Sequence, residues 1–454
     1  MTTNFANRDE FQRQPMAEKL IKLLASEVTV SPMVIDGPWG SGKTEFTLKL
    51  IKLFEEQEQG FNLIYIDAFK ADHADNPLMT VLAEIIKHLP DEQKSSLLNK
   101  AIPVIRSLSK TIAKAATSWV LKQDSSDVIE GFESEIKEAS DSLIDYSVEQ
   151  LLKSHIDAEK NLAALQTLLE EISKDKPIVL FIDELDRCRP DFSVSILETI
   201  KHVFNVSNVQ FVLITNQSQL LASVKHIYGS QLDAKRYLDK FLSFSFKLSA
   251  TVGTNSHHLK HASEIHFSNL IVKSDVLKES AFREQAGRGI IGFSVDLVKS
   301  HHLSLREVET FVRYIEIYHT LSEGFQKNLI LGYGLLRVMG VFIYSFSSGF
   351  AKELDRDIIN GYSVHDFFGK TDLIEIENTK PKYYMEIIHA MFAMELTTNS
   401  ELYDKFEKPL QDLKPKWEVY FGSMFSGDFH YYPDEGNLIH VKSAIRELMM
   451  LSTN

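Results

Sequence analysis

The run Gly37-Pro38-Trp39-Gly40-Ser41-Gly42-Lys43-Thr44 fits the spacing G-x-x-x-x-G-K-[ST]. Glycines at 37, 40 and 42 let the backbone curl so that successive N–H groups point inward, which suits a polyphosphate. Lys43 supplies a point charge for β- and γ-phosphates, and the Thr44 hydroxyl suits a Mg²⁺ ligand. The nucleotide-contacting stretch is expected to run from Gly37 through Glu45. A second group of candidates comes far along the chain, at Asp183 and Glu184. There Asp183 is suited to hold Mg²⁺ through water, and Glu184 to orient and activate an attacking water. Together these residue types imply binding of a nucleoside triphosphate with Mg²⁺.

Such residues need a scaffold that aims them at one point. Met33, Val34 and Ile35 read as a buried strand running into the loop, and Phe46, Leu48, Leu50 and Ile51 continue it as a helix to about Glu58. The positive end of that helix adds to the anion site. Pro177 to Ile182 is a continuous apolar strand that delivers Asp183-Glu184-Leu185-Asp186-Arg187-Cys188-Arg189-Pro190 to its C-terminal end, where open α/β sheets bind ligands. This is a Walker B pattern, in which Cys188 reads as a small packing residue. Leu63 to Ile66 is a further buried strand leading to Asp67-Ala68-Phe69, and a helix with Pro15 in its first turn opens at Arg13-Gln14. Alternation of strand and helix predicts a parallel sheet.

Val209 to Ile214 adds another strand ending in Thr215-Asn216. Asn216 is positioned either to reach a γ-phosphate as a sensor or to cap the following helix. Asn216-Gln217-Ser218-Gln219 lacks the Lys and Asp by which GTPases read guanine, so ATP is favoured over GTP. Leu242, Phe244, Phe246 and Leu248 alternate with polar residues and predict a last, half-exposed strand.

Residues 77 to 175, between the two motifs, carry helical patterning throughout. Within them Ile102 to Leu121 suits a soluble bundle better than a membrane surface, and the acidic run Asp124 to Asp145 reads as a solvated face. A Ser-, Thr-, Gly- and Asn-rich stretch from Ser249 to His258 predicts the end of the sheet domain. Just beyond it, His257, His258, His261 and His266 are expected on the surface, since their spacing fixes no third metal ligand. Ser304 is expected to cap a helix holding Arg306, and the chain from 321 onward is mainly helical without catalytic pattern. Leu329 to Phe346 nears membrane-span length, but Arg337 near its middle favours a buried helix.

With 49 basic and 63 acidic residues, the net charge of −14 disfavours a broadly basic nucleic-acid groove without forbidding a local one. The single cysteine leaves no internal disulfide and no cysteine-based zinc cage, which fits a reducing cytoplasm. The start MTTNFANRDEFQRQ has no apolar core behind a basic segment, so a signal peptide is not expected.

The Pro38-Trp39 pair inside the loop, Leu185-Asp186-Arg187-Cys188 after the second motif, and Tyr237-Leu238-Asp239-Lys240 before the last strand resemble the KAP family of P-loop NTPases over roughly residues 10 to 320. That family includes a plasmid-encoded phage-exclusion protein and animal neuronal membrane scaffolds. The resemblance implies an additional-strand (ASCE) P-loop core over residues 1–250, with the helical insertion at about 77–175. It further implies a helical lid over 251–320 and a mainly helical region over 321–454. It makes Asn216 and Arg306 the candidate γ-phosphate sensors, and Arg187 and Arg189 either trans-acting fingers or ion-pair partners. It also implies ATP hydrolysis, a homo-oligomer or protein partner, and a place in anti-phage defence. Asp67-Ala68-Phe69 replaces the family's frequent Asn-Ala-Trp, Asn216 stands where Asp is common, and the charged insertion is unsuited to spanning lipid, leaving membrane association peripheral at most.

Overall fold

The computed structural model describes residues 4–58, 60–72, 77–90, 93–94, 96–97, 99–101, 103, 148–252, 260–359, 361–369, 384–396, 415–417, 419 and 436–450. Most of Ile102 to Leu121, the whole of Asp124 to Asp145, and His257 and His258 lie outside the described residues.

Contacts divide the chain into two units, residues 1–249 and 250–454. In the first, five strands form one parallel sheet: β1 (Met33–Asp36), β2 (Asn62–Asp67), β3 (Ile178–Asp183), β4 (Val209–Thr215) and β5 (Phe244–Lys247). Their spatial order is β2-β3-β4-β1-β5, so β4 is inserted between the two motif-bearing strands. This is the additional-strand α/β arrangement the sequence implied. Every residue of β3 is buried, as its unbroken apolar run requires of a strand covered on both faces. Strand β5 lies at the edge beside β1, where Phe246 and Leu248 are more buried than Ser245 and Lys247 as the alternation predicted, but Phe244, on the same face, is exposed.

Side chains alternate across the sheet and build two apolar layers. One holds Met33, Ile35, Phe181, Val212 and Ile214 against Leu20 of α1 (Gln14–Leu24) and Phe46, Leu50 and Phe54 of α2 (Lys43–Gln57). The opposite layer holds Val34, Leu180, Ile182 and Leu213. Against it lie a one-turn α3 (Ala68–Ala71), α4 (Pro77–Lys87), α5 (Val148–Ser173), α6 (Pro190–His202) and α7 (Gln217–Tyr228), followed by a short α8 (Ala234–Leu238). Register then decides the functional edge. Asp67 pairs with Asp183, Asp183 with Ile214, and Asp36 with Thr215, so four strands end within one residue of one another.

The second unit opens with a small antiparallel pair, in which Thr251–Val252, within the stretch read as a linker, meets Lys260–His261 just beyond it. Its helices are α9 (Ala262–Lys273), α10 (Gln285–Ser300), α11 (Leu305–Ser322), α12 (Leu331–Phe346), α13 (Ser348–Asp355), α14 (Gly361–Phe368), α15 (Tyr384–Leu396) and α16 (Leu438–Met449). One apolar core runs through them from Phe267 to Leu448. The apolar run around Arg337 is the buried helix α12, whose guanidinium is satisfied by the Gly324 carbonyl. Among the described residues, no helix is long and apolar enough to cross a membrane.

Gly340 lets α12 and α16 approach closely, since a Cβ there would lie 2.6 Å from the Val441 carbonyl oxygen and 2.8 Å from the Ala444 Cβ. Backbone on the far side cannot rotate away. Gly340→Ala should therefore destabilise the second unit by about 1–3 kcal/mol, measured by chemical denaturation.

Candidate nucleotide site

Gly40 and Gly42 take φ values of +72° and +80°, a left-handed conformation that side-chain-bearing residues resist. This turn curls the loop and makes Gly42 the N-cap of α2, so the first N–H groups of α2 point toward the loop. Ser41 closes the turn, with its N–H and hydroxyl donating to the Pro38 carbonyl at 3.3 and 2.7 Å. The Lys43 ammonium lies inside, donating to the carbonyls of Gly37 (2.8 Å) and Pro38 (3.2 Å). Burial pushes its pKa down, against the charges of Asp186, Asp183, Asp36 and Glu184. Glu45 follows in the first helical turn and pairs with Lys49 at 2.7 Å.

Walker B carboxylates stand across from this loop. Asp183 is 1 % exposed, and burial raises its pKa. Hydrogen bonds from Thr44, Tyr65 (2.9 Å) and the Glu184 N–H (2.7 Å), together with the Lys43 charge, act in the other direction. Thr44 is close enough to lower the Asp183 pKa, so the two expected Mg²⁺ donors face one site. Both are hard oxygen ligands, so the residues present fit Mg²⁺ as the nest and lysine fit a polyphosphate. Glu184 has φ +62°, an uncommon value for a residue with a side chain. Its carboxyl pKa is raised by burial and by Asp183, Asp67 and Asp186, and lowered by Arg187. Arg187 Nε lies 2.6 Å from Glu184 Oε2, a charge contact without hydrogen-bond alignment.

Two side chains in this site carry roles that linear reading did not assign. Asp186 accepts the Trp39 indole N–H with one oxygen and the Thr215 hydroxyl (3.3 Å) with the other. It thereby joins the loop to β3 and β4. Its place in the Leu185-Asp186-Arg187-Cys188 run was visible, but no local pattern pairs it with Trp39. Tyr65 has the same difficulty, because nothing in β2 alone points to Asp183.

Other expected residues divide. Asn216 caps α7, accepting the Ser218 N–H at 3.1 Å, so of its two readings the helix cap is the contact present. Arg306 is exposed on α11, behind a capping box in which Ser304 accepts the Glu307 N–H and Glu307 accepts the Ser304 N–H. It belongs to the second unit, whereas the loop belongs to the first. Both finger candidates have partners: Arg187 contacts Glu184, and Arg189 holds Asp72 through its N–H (3.0 Å) and Nε (3.1 Å). Cys188 packs at 7 % exposure, and burial first, then neighbouring carboxylates, push its thiol up to about 12. A nucleophilic thiolate is thereby suppressed. His266 corrects the surface expectation, being 3 % exposed with Nε2 at 3.1 Å from Glu309. His261 instead forms the capping box of α9 with Glu264. No cluster of three or more potential metal-binding His, Cys, Asp or Glu side chains occurs among the described residues.

A glycine-rich nest before α2, an acidic pair ending β3 and a strand between them define a P-loop NTPase. The model of the KAP family P-loop domain matches residues 13–321, well over half the chain, and the chain belongs to that family. Among solved structures it is similar to the Aeropyrum pernix ORC2 protein in ADPNP–ADP complexes. That alignment has 11% identity and a TM-score of 0.37 over 97% of this chain and 95% of that one, a likeness too slight to bear on function. No curated protein matches the chain.

The Trp39–Asp186 bond should couple loop and Walker B energetically. In a double-mutant cycle on nucleotide affinity, Trp39→Phe and Asp186→Asn should show a coupling of about 0.5–1.5 kcal/mol, with the double variant little worse than the poorer single one.

Proposed function

We propose that this chain is a cytoplasmic, Mg²⁺-dependent ATPase acting as a molecular switch. The observation that carries the reading is the convergence of Lys43, Thr44, Asp183 and Glu184 at one sheet edge, where Lys43 and Thr44 both act on the Asp183 carboxyl. Lys43 exchanges the carbonyls of Gly37 and Pro38 for phosphate oxygens, the partners its charge prefers. Thr44 directly and Asp183 through water would hold Mg²⁺, whose charge would offset that of the β- and γ-phosphates. Glu184, as a carboxylate, orients water and accepts its proton. Asn216 and Arg306 are the sensor candidates, and the change they report would move a lid at 251–320 and the region 321–454. The output is assembly with like copies or a protein partner, in keeping with a role in anti-phage defence, an assignment by family resemblance alone.

A second reading, a nucleotide-gated scaffold with little turnover, draws support from the Arg187–Glu184 contact. A base held by an arginine is a weaker proton acceptor.

ATP turnover by wild type beside Lys43→Ala and Glu184→Gln, with molecular mass followed with and without Mg·ATP, separates the two. For an ATPase, both variants should lose at least about 100-fold in turnover, and Glu184→Gln should retain ATP binding. Wild-type turnover at the level of Glu184→Gln, with an ATP-dependent rise in mass, would favour the scaffold.

Turnover should also carry an acid limb. Glu184 works deprotonated and its pKa is raised, so activity should increase as pH rises through that value. Because Arg187 lowers the Glu184 pKa, Arg187→Met should move the limb to higher pH, read from the pH dependence of kcat.

A further inference from the structure

Arg13 precedes α1 and belongs to neither nucleotide motif, yet it is only 5 % exposed. Its guanidinium reaches in two directions, with Nη1 donating to the Ser41 carbonyl at 3.0 Å and Nη2 to the Ser249 carbonyl at 3.1 Å. Asp9 fixes its backbone by accepting the N–H groups of Arg13 (2.8 Å) and Gln14 (3.0 Å), and the guanidinium carbon sits 5.0 Å from the centre of the Phe11 ring. Burial lowers its pKa to about 10, against the charges of Glu45, Asp9 and Glu10, so the side chain stays cationic at neutral pH.

Ser41 lies between the two left-handed glycines of the loop. In a trans peptide, the carbonyl of one residue and the N–H of the next point in opposite directions. Drawing the Ser41 carbonyl toward Arg13 therefore turns the Gly42 N–H the other way, toward the concave side of the loop. The Ser41 hydroxyl and N–H are both bonded to Pro38, which resists a flip of the preceding peptide. Ser249, the other anchor, is the last residue of the sheet unit and follows Leu248, whose N–H donates to the Asp36 carbonyl at 2.8 Å. The guanidinium is thus braced against the end of β1 through the chain that leaves β5.

We propose that Arg13 is a positioning residue for phosphate, presetting the Gly42 N–H by holding the Ser41 carbonyl outside the loop. This rests on the nucleotide-binding reading of the same loop. It separates Arg13 from Lys43, which meets the phosphate itself.

The test is calorimetric titration of the full chain, wild type beside Arg13→Met and Arg13→Lys, with ADP and with inorganic pyrophosphate, together with thermal unfolding. Pyrophosphate carries no base, so it reads the nest alone. Arg13→Met should weaken both ligands by a similar factor of about tenfold, and Arg13→Lys by less, since an ammonium can serve one carbonyl but not both in the same fork. The Arg13→Lys melting midpoint should stay near that of wild type. Unchanged affinity in both variants would overturn the positioning role while leaving the nucleotide site standing. So would weakened binding that tracks a collapse of the midpoint in both variants, because general destabilisation would then account for it. Failure of wild type to bind either ligand would overturn the nucleotide reading, and this role with it.

Discussion

The site depends on the backbone register that places β4 between β1 and β3. Neighbouring strands lie about 4.8 Å apart, so one intervening strand sets the loop and the acidic pair roughly 10 Å from each other along the sheet. That gap is wide enough for a phosphate chain and narrow enough for Thr44 and Lys43 to act on the Asp183 carboxyl across it. Hydrogen bonds along three strands fix it, and a slip of one residue would turn the inward side chains outward. The two apolar layers protect the register by covering both faces of the sheet.

Electrostatics follow from that placement. Asp67, Asp183, Glu184 and Asp186 gather at the ends of β2 and β3, where burial raises the carboxyl pKa of Asp183, and burial with repulsion from the other three raises that of Glu184. Compensation comes from Thr44, Tyr65, Lys43 and the Glu184 N–H at Asp183, and from Arg187 at Glu184. The negative charge collected at this edge favours a cation, although the four carboxylates do not converge into a metal cage. The chain's acidity therefore does not oppose nucleotide binding, because a phosphate at the loop would meet Lys43 and backbone N–H groups rather than the average surface charge. Overall charge bears instead on broad nucleic-acid contact, for which −14 is unfavourable.

The second unit rests on different physics. Its core is built by helices whose contacts depend on small residues, as at Gly340, and on caps such as Ser304 and His261. Neither Gly340 nor the caps resemble catalytic patterns, which is why this half of the sequence yielded helices but no chemistry. His266 shows how such a reading errs. A histidine in a polar neighbourhood of sequence was expected on the surface, yet it packs beneath the α9–α11 contact because Glu309 satisfies its ring nitrogen.

By itself, the sequence determined the residues from Gly37 to Thr44, the acidic pair after β3, the strands and the helix starts. Each of these is local: a turn needs glycines at fixed spacing, a covered strand needs an apolar run, and a cap needs its partner three residues on. Family resemblance supplied the additional-strand order, which no local pattern encodes. Only the tertiary structure decided which side chains meet across the sheet. Trp39 and Asp186 are 147 residues apart, Tyr65 and Asp183 are 118, and Arg13 reaches both Ser41 and Ser249. Such pairs leave no periodic trace, because their spacing along the chain reflects connecting segments rather than the contact itself.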